Sequence, residues 1–547
     1  MMDRTQKRIL WLLLAIGAIY FVAFIFPNAT GAKTYSMVSV FSPDEHIQYP
    51  TPLYMLSGGS LRHALHKFIL YGDYSYGFPF YGSSALVLLP LKLMNALNSQ
   101  NVQLALLLLR QLISVLPMIL AILLMVYTQT KFRSSLTSIV TFIFLLLIAA
   151  VVENDLWWHA DSLTVLFVVL VFFFLDRDEL KFGINFQLAA VACGLATGTK
   201  VLGLFFFLTI PVYILIGIQQ KRISWKRAFP VALVFVAVLV LVIVASDPFL
   251  LISSERQQML LLIGHIKNTM TQGYTLYYVK DSFTWLRVLA GLAWPPFLIF
   301  ILLVLLLGIW KSSKPVLHIL ILCWTIPFSF YILYFVSAQL PHYFLPILIP
   351  LFSCVATAFE VKPASWLSQK FINSFLKSWG NKLWLAIVVL IVGYQAVNYL
   401  LADIKLYQND LTREQTNTAI QFYNTLDEQY LHVLPLNQTY VIFDDVRMYF
   451  PDSASSHVIS FYVTTNYATV QKYKPDIILL WQQRISDYTQ PGASANAINK
   501  NAFQAVHQFF SDASKGQLTG FHLIYRNGTG LAFVSDALYQ KYFQSPQ

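Results

Sequence analysis

The sequence predicts an α-helical polytopic membrane protein with about eleven transmembrane helices and a C-terminal extracytoplasmic α/β domain. Hydrophobic residues make up 57% of the 547 positions and charged residues only 12%, about half the charged share of an ordinary soluble domain. The apolar residues form runs long enough to cross a hydrocarbon core as helices. After residue 401 these runs stop, and the remaining chain has the mixed composition of a soluble domain.

Eleven apolar segments are the candidate membrane spans. They are 9–26, 103–127, 135–152, 162–175, 184–199, 201–218, 228–246, 286–308, 315–337, 344–358 and 383–401. Because basic residues precede 9–26, a cleaved signal peptide is the alternative for that segment, although it is long for one. Cys193, Cys323 and Cys354 all fall inside apolar runs, so they predict small buried side chains and neither a disulfide framework nor a metal motif.

Segment 79–97 is apolar but is interrupted by two prolines, a glycine and a lysine. Whether it crosses the membrane determines on which side of the membrane every later loop lies. If it does not cross and the N-terminus is cytoplasmic, the cytoplasmic pieces carry 17 lysines and arginines and the outer loops carry eight. The positive-inside rule therefore favours a re-entrant or in-plane helix there. The net charge of +11 then reflects membrane orientation and not nucleic-acid binding, since residues 402–547 carry ten basic and twelve acidic side chains.

This topology predicts a membrane domain, 1–401, and a soluble extracytoplasmic domain, 402–547. Four outer segments share the face of the soluble domain, namely 27–102, 153–161, 247–285 and 338–343. In the soluble domain the patterns predict strands at Tyr440–Phe443, His457–Val463 and Ile477–Trp481, helices at Asp410–Leu426 and Ala502–Ala513, and a hairpin of Phe521–Tyr525 with Gly530–Val534. No catalytic signature occurs in this domain, which predicts a structural or acceptor-positioning role.

Two acidic clusters lie in the outer segments. Asp44 and Glu45 are adjacent carboxylates beyond the first span, where one can take a proton from a nucleophile and the other can hold a metal or substrate. The alternative is that Asp44 caps a short helix. His159 and Asp161 belong to a polar turn between two spans, where Asp161 could also be a cap and the neighbouring tryptophans could be interface anchors.

Two cations lie within or beside apolar runs. Arg110 is about 10 Å inside its span, and Lys200 ends a glycine- and threonine-rich turn that suits a lipid phosphate. Ionisable groups at membrane depth are functional by default, with a structural or snorkelling pair as the alternative. His342 and Tyr343 open a span on the same face, and His265 lies in an amphipathic segment. A lone histidine is more often a hydrogen-bonding residue than a ligand.

These features occur in a distinctive order. An acidic pair follows the first span and an arginine lies early in the next long helix. The motifs His159-Ala160-Asp161-Ser162, Gly-Leu-Ala-Thr-Gly-Thr-Lys200 and Tyr343-Phe344-Leu345-Pro346 come later. Residues 1–401 thereby resemble the GT-C superfamily of membrane glycosyltransferases, near the protein O-mannosyltransferase and lipid A aminoarabinose transferase branches. One departure is His342, where many members have an arginine.

The resemblance implies transfer of a sugar from a polyprenyl-phosphate donor to a glycan, lipid or protein acceptor, with inversion at the anomeric carbon. It implies that Asp44 is the general base and that Glu45 assists acceptor or metal binding. Asp161 would orient substrate, while Lys200 and Arg110 would neutralise the leaving phosphate. No cofactor is required by the sequence. A divalent metal is the open alternative, and Asp44, Asp161 and His265 are its candidate ligands.

Two other classes of function stay open. A transporter or flippase of lipid-linked sugars would also have many spans, but it is expected to place ionisable residues near the bilayer midplane and to show internal repeats. A non-catalytic membrane scaffold would use 402–547 for binding and would be indifferent to replacement of Asp44. The clustering of acidic residues in outer segments favours the enzyme.

Overall fold

The computed structural model describes residues 2–98, 101–277, 283–361, 374–453, 455–461 and 465–544. Parts of the predicted outer loop 247–285 and inner loop 359–382 therefore lie outside the described residues. The same holds for the last residues of the predicted strand His457–Val463.

All eleven predicted spans are helical. In the described part of the chain, seven helices are long and apolar enough to cross a bilayer, or nine if each of two bent pairs is one span. The bent pairs turn by 60° within 135–155 and by 80° within 284–311. Asp161–Asp178 and Ile184–Lys200 complete the eleven; the first carries four charged residues and the second has only 17 residues. The predicted polytopic fold is confirmed.

The first part of the chain contains ten α-helices. They are α1 Arg4–Asn28, α2 Tyr35–Phe41, α3 Pro43–Gln48, α4 Pro50–Met55, α5 Leu61–Ile69, α6 Phe78–Leu93, α7 Val102–Leu109, α8 Leu116–Thr130, α9 Ser135–Leu146 and α10 Ala149–Asp155. A π-helical turn, Arg110–Val115, joins α7 to α8 within one 29-residue span. Such turns often lie at functional sites because the extra residue redirects a side chain.

The middle of the chain continues the membrane part, whose last span lies in the later helix Ser374–Thr416. Its helices are α11 Asp161–Asp178, α12 Ile184–Lys200, α13 Thr209–Gln219, α14 Trp225–Ser246, α15 Ser253–Gln272, α16 Thr284–Leu292, α17 Pro295–Lys311, α18 Pro315–Phe330, α19 Leu345–Phe352 and α20 Val355–Glu360. Small residues on α12 let α14 approach closely; a Cβ on Gly194 would lie 2.8 Å from the Val242 side chain. This close approach is how membrane helices gain packing energy.

Segment 79–97 folds largely into α6, which has 16 residues and is therefore about 24 Å long, shorter than a hydrocarbon core of about 30 Å. Its first turn lies against the end of α12, where Gly77 N–H donates to the Thr199 carbonyl oxygen over 3.2 Å. The chain re-emerges beside the end of α1, where the Gln103 side chain donates to the Ala29 carbonyl oxygen over 2.5 Å. This geometry supports the predicted re-entrant path.

The C-terminal part is a small α/β unit on a five-stranded sheet. Its helices are α21 Ser374–Thr416, α22 Thr418–Gln429, α23 Tyr467–Tyr473, α24 Gln482–Thr489, α25 Lys500–Ser514 and α26 Asp536–Tyr542. The strands are β1 Tyr440–Asp445, β2 Ser456–Phe461, β3 Ile477–Trp481, β4 Phe521–Arg526 and β5 Gly530–Ser535, in the spatial order β2-β1-β3-β5-β4. β1 pairs in parallel with β2 and β3, and the predicted hairpin is β4–β5.

The helix predicted at Asp410–Leu426 is wrong in one respect, because the chain breaks at Asn417. The Asn417 side chain accepts hydrogen bonds from the backbone of Ala419 and Ile420 and so caps α22, as asparagine does at helix starts. The residues before the break belong to α21, which runs without interruption from the membrane part into the C-terminal unit.

The C-terminal unit is fixed to the outer end of α1 and to α2. An Asp452 carboxylate oxygen accepts the Ser36 N–H over 2.7 Å at the start of α2. Arg413 donates to the Thr30 side chain over 2.9 Å, and Lys33 pairs with Glu414 over 2.6 Å. These contacts hold the segment that leads directly into Asp44.

Candidate active site

Asp44 and Glu45 lie in the first turn of α3. The helix begins at Pro43, whose fixed φ suits a first helical position. The residue before it, Ser42, occupies the cap position without a side-chain cap bond. Asp44 is therefore not the capping residue that the alternative required. Its carboxylate is half-buried, and its charge is near enough to Tyr76 to raise the pKa of that hydroxyl.

Glu45 and Arg110 satisfy each other. The Arg110 guanidinium donates to the two Glu45 carboxylate oxygens over 2.8 and 2.5 Å, and both side chains are 0% exposed. Trp158 N–H donates to the same carboxylate over 2.6 Å, and Arg110 also donates to the Asn28 and Thr30 carbonyl oxygens. The pair thus joins four segments, namely the end of α1, α3, the π-helical turn and the turn at Trp158, and both of its charges are buried.

Asp161 begins α11 and accepts from two cation-forming side chains. Lys200 Nζ lies 2.5 Å from one carboxylate oxygen, and the His159 Nδ1 atom contacts the other. The opposite ring nitrogen, His159 Nε2, lies 2.6 Å from the Tyr76 hydroxyl oxygen. A chain of polar contacts therefore runs from Lys200 through Asp161 and His159 to Tyr76.

The Lys200 ammonium group is the exposed end of this chain. Its side chain is 19% exposed, whereas Asp161 is 1% exposed. Nζ lies 5.1 Å from the centre of the Tyr343 ring and 5.8 Å from that of Tyr76, within the range of cation–π attraction. An ammonium has three donors, so the bond to Asp161 leaves further donors for a ligand.

Three rings close one side of the cluster. Trp157 stacks on His159 with ring centres 4.3 Å apart, and His342 lies 5.3 Å from His159 in an edge arrangement. Tyr343 follows His342 and contacts Lys200. His342 is buried, so it lines the cluster from the short turn before α19 and does not extend into solvent.

Tyr76 is the residue of this cluster that the sequence did not single out. Withdrawal from water and the nearby carboxylates of Asp44 and Asp161 raise the pKa of its hydroxyl well above the usual value. The hydroxyl therefore keeps its proton at neutral pH and can donate a hydrogen bond. Tyr76 is one of 30 tyrosines in the chain, and no local pattern distinguishes it.

Gly77 holds Tyr76 against the end of α12. A Cβ at Gly77 would lie 1.4 Å from the Gly198 carbonyl oxygen and 2.9 Å from an Asp247 carboxylate oxygen. That same Asp247 oxygen accepts the Phe78 N–H over 2.9 Å and so caps α6. The missing side chain at Gly77 is what allows the backbones to meet.

We expect Gly77→Ala to displace Tyr76 from the site, with a destabilisation of about 1–3 kcal/mol because the backbone must shift. Any activity that depends on this cluster should fall at least tenfold, measured beside the thermal unfolding midpoint. Gly59→Ala is the matched control in the same outer segment, since a Cβ there meets nothing within 4 Å. Equal activity of the two variants would show that Tyr76 placement is unimportant.

The candidate metal ligands do not form a metal site. Among the described residues no group of three His, Cys, Asp or Glu side chains is arranged to hold an ion. Asp161 is held by Lys200 and His159, and His265 lies on the exposed face of α15. The described residues therefore give no support to Asp44, Asp161 and His265 as a set of metal ligands, and a metal at this site stays a prediction.

The fold and the cluster together define a class of protein. A multi-pass helical membrane part carries a polar cluster at the ends of several helices, and a small α/β unit completes the chain. Comparison with solved structures finds the same architecture in ArnT from Cupriavidus metallidurans in the apo state, with 12% identity and a TM-score of 0.50, covering 98% of this chain and 99% of that one. The predicted resemblance to GT-C proteins is thus confirmed for the fold.

Two further solved structures are similar to this chain over nearly all of its length. ArnT bound to undecaprenyl phosphate has 12% identity and a TM-score of 0.48, with the same coverage of both chains. The oligosaccharyltransferase AglB from Archaeoglobus fulgidus, in complex with an inhibitory peptide and a dolichol-phosphate, has 11% identity and a TM-score of 0.47, covering 100% of this chain and 75% of that one. No protein-family model and no curated protein matches the sequence.

Proposed function

We propose that this chain is a membrane glycosyltransferase that moves a sugar from a polyprenyl-phosphate donor to an acceptor hydroxyl at the extracytoplasmic face, with inversion. The observation that carries the proposal is the chain of polar contacts from Tyr76 through His159 and Asp161 to Lys200 at the ends of membrane helices. The Asp44 charge acts on Tyr76 at one end of this chain. A donor with a lipid tail needs such a place, because its phosphate must meet protein while its tail stays in the bilayer.

In the proposed reaction Asp44 takes the proton of the acceptor hydroxyl. The acceptor oxygen attacks the anomeric carbon, and the bond between that carbon and the phosphate oxygen breaks on the opposite face of the sugar. The bonding electrons leave on polyprenyl phosphate. Asp161 is disfavoured as the base, since both of its oxygens contact cation-forming side chains. A positioned base of this kind contributes about 10²–10⁴-fold to a rate.

Lys200 is the proposed partner of the leaving phosphate. It is the exposed cation of the cluster, and Asp161 fixes its direction. Tyr76, with its proton retained, and Tyr343 lie on either side of the ammonium group. Preorganised donors at developing negative charge stabilise the transition state strongly. We assign Glu45 and Arg110 positioning roles in place of those that the resemblance implied, because they neutralise each other.

Transfer in reconstituted membranes tests the proposal. Purified protein in liposomes receives radiolabelled polyprenyl-phosphate sugars together with a host membrane extract as the source of acceptor. The expected result is label on a new, non-prenyl product. Label that crosses the bilayer and stays on the prenyl lipid would instead indicate the flippase alternative.

Removal of Lys200 is expected to lower transfer. We expect Lys200→Ala to reduce the rate by about 10²–10³-fold and Lys200→Arg to reduce it less, because a cation remains. Lys267→Ala, on an exposed position of α15, is the control for loss of a lysine. Lys200→Ala also leaves the buried Asp161 carboxylate without its lysine partner, which lowers stability. The double variant Lys200→Ala/Asp161→Asn separates this loss of stability from the loss of the cation. Its unfolding midpoint should recover while its rate stays low.

A further inference from the structure

A stretch of the outer loop after α15 lies along the C-terminal unit. Leu276 forms an antiparallel bridge with Ala497. Tyr277 N–H donates to the Asn496 carbonyl oxygen over 2.7 Å, and Ile498 N–H donates to Thr275 over 2.9 Å. Main-chain bonds therefore fix residues 274–277 to the C-terminal unit as a short strand.

A cleft of about 400 Å³ lies between this short strand and α24. That volume is within the range of about 300–1,000 Å³ found for small-molecule sites, which favour domain boundaries. The residues that give the cleft its chemistry are Tyr274, Tyr277, Arg484, Asp487, Tyr488 and Gln490. A second cavity of about 610 Å³ shares Gln490 and Ala493 with the first and adds Lys500 and His507. The two form one extended groove.

The groove combines exposed aromatic faces with flat polar groups. Tyr274 and Tyr277 are 48% and 46% exposed, although buried aromatic area is what usually stabilises a fold. Arg484 pairs with Asp445, and Asp487 adds a second carboxylate, so the cleft carries no excess positive charge for a phosphate. Aromatic faces bind the C–H face of a pyranose, and carboxylate, amide and guanidinium groups bind neighbouring hydroxyls. This chemistry selects a neutral saccharide.

The groove is close to the candidate active site. The Tyr343 hydroxyl oxygen lies 3.7 Å from the Met270 sulfur atom, and Tyr343 contacts Lys200. Tyr274 is four positions after Met270, so their Cα atoms are at most about 14 Å apart. A chain of a few sugar units can therefore reach from the groove to the reacting centre.

We infer that this groove binds the acceptor, and that the acceptor is a glycan chain of several sugar units. The inference rests on the proposed function and narrows its acceptor from glycan, lipid or protein to one class. The sugars farthest from the reacting hydroxyl would lie on Tyr274 and Tyr277. Binding energy from these remote sugars would then orient the terminal hydroxyl toward Asp44.

The test is direct binding to the full-length protein in lipid nanodiscs. The probes are fluorescent tetrasaccharides of glucose, mannose, galactose or N-acetylglucosamine, the corresponding monosaccharides, and a serine-rich peptide. We expect at least one tetrasaccharide to bind saturably, and its monosaccharide to bind at least tenfold more weakly. Tyr277→Ala should lower the affinity for the tetrasaccharide at least tenfold. Tyr277→Phe, which keeps the aromatic ring, should lower that affinity less than threefold. Tyr473→Ala, at a tyrosine 38% exposed outside the groove, should leave binding unchanged.

Three results would overturn the inference. They are no binding of any tetrasaccharide to wild type, equal binding to wild type and Tyr277→Ala, and binding of the peptide in place of the saccharides. Because no turnover is needed, the outcome is independent of the transfer assay. Asp44→Asn should keep saccharide affinity while losing transfer, so binding without transfer in wild type would count against the proposed function and leave the groove intact.

Discussion

Asp44→Asn is expected to abolish measurable sugar transfer, with a loss of about 10²–10⁴-fold. Asparagine has nearly the shape of aspartate but cannot accept the proton of an attacking hydroxyl. Asp44 is half-buried in α3 and outside the Glu45–Arg110 pair, so the fold should tolerate the change. The measurement is initial transfer rate in liposomes at saturating donor, beside the thermal unfolding midpoint.

Asp427→Asn is the matched control, because Asp427 is exposed on α22 and away from the site. It should transfer at the wild-type rate. If Asp44→Asn also transfers at that rate in a folded protein, Asp44 is not the base, and Asp161→Asn becomes the next variant to measure. A scaffold without catalysis would show no transfer by any variant.

Arg110→Ala is expected to cost about 3–5 kcal/mol of stability, because it leaves the Glu45 charge buried without its partner. The change also removes the donors to the Asn28 and Thr30 carbonyl oxygens. The measurement is the unfolding midpoint of the purified protein in detergent, where a large downward shift is expected. Glu45→Gln/Arg110→Met removes both charges and should recover much of the loss, since no unpaired charge then stays buried.

Lys33→Ala is the control for the loss of an ion pair. Lys33 is 61% exposed in its pair with Glu414, and exposed pairs contribute about 0–1 kcal/mol. If Arg110→Ala is as mild as Lys33→Ala while transfer is lost, Arg110 contacts substrate in a state that the structure does not show. The positioning role would then be wrong.

The sequence predicted which residues form the site better than it predicted how they contact one another. Lys200 stands out because charges are rare within or beside apolar runs, whereas Asp44 and Asp161 stand out because they belong to acidic clusters between spans. The pairing of Glu45 with Arg110 was not predictable, since 65 positions separate them and local patterns carry no information on such distances. The resemblance implied that Arg110 binds the leaving phosphate. Because Arg110 is buried against Glu45, we propose a positioning role for it in place of phosphate binding.

Other features carried weak signals or none. Asn417 is a residue type that often caps the start of a helix. The spacing of apolar residues before and after it nevertheless predicted one continuous helix. No sequence pattern pointed to Tyr76, because its position in the cluster depends on the close approach of the Gly77 and Gly198 backbones. The saccharide groove depends on a main-chain bridge between positions 276 and 497, which composition cannot reveal.

Because α21 is one continuous helix, the number of residues in it determines the orientation of the C-terminal unit. A helix of 43 residues is about 65 Å long and advances about 100° per residue. One residue inserted between the membrane part and Arg413 would therefore swing the whole unit by more than a quarter turn and lift it by about 1.5 Å. Length changes in this helix are expected to be far less tolerated than changes in surface loops, where extra residues bulge outward. The helix thus works as a rigid spacer that sets the angle at which the soluble unit faces the membrane.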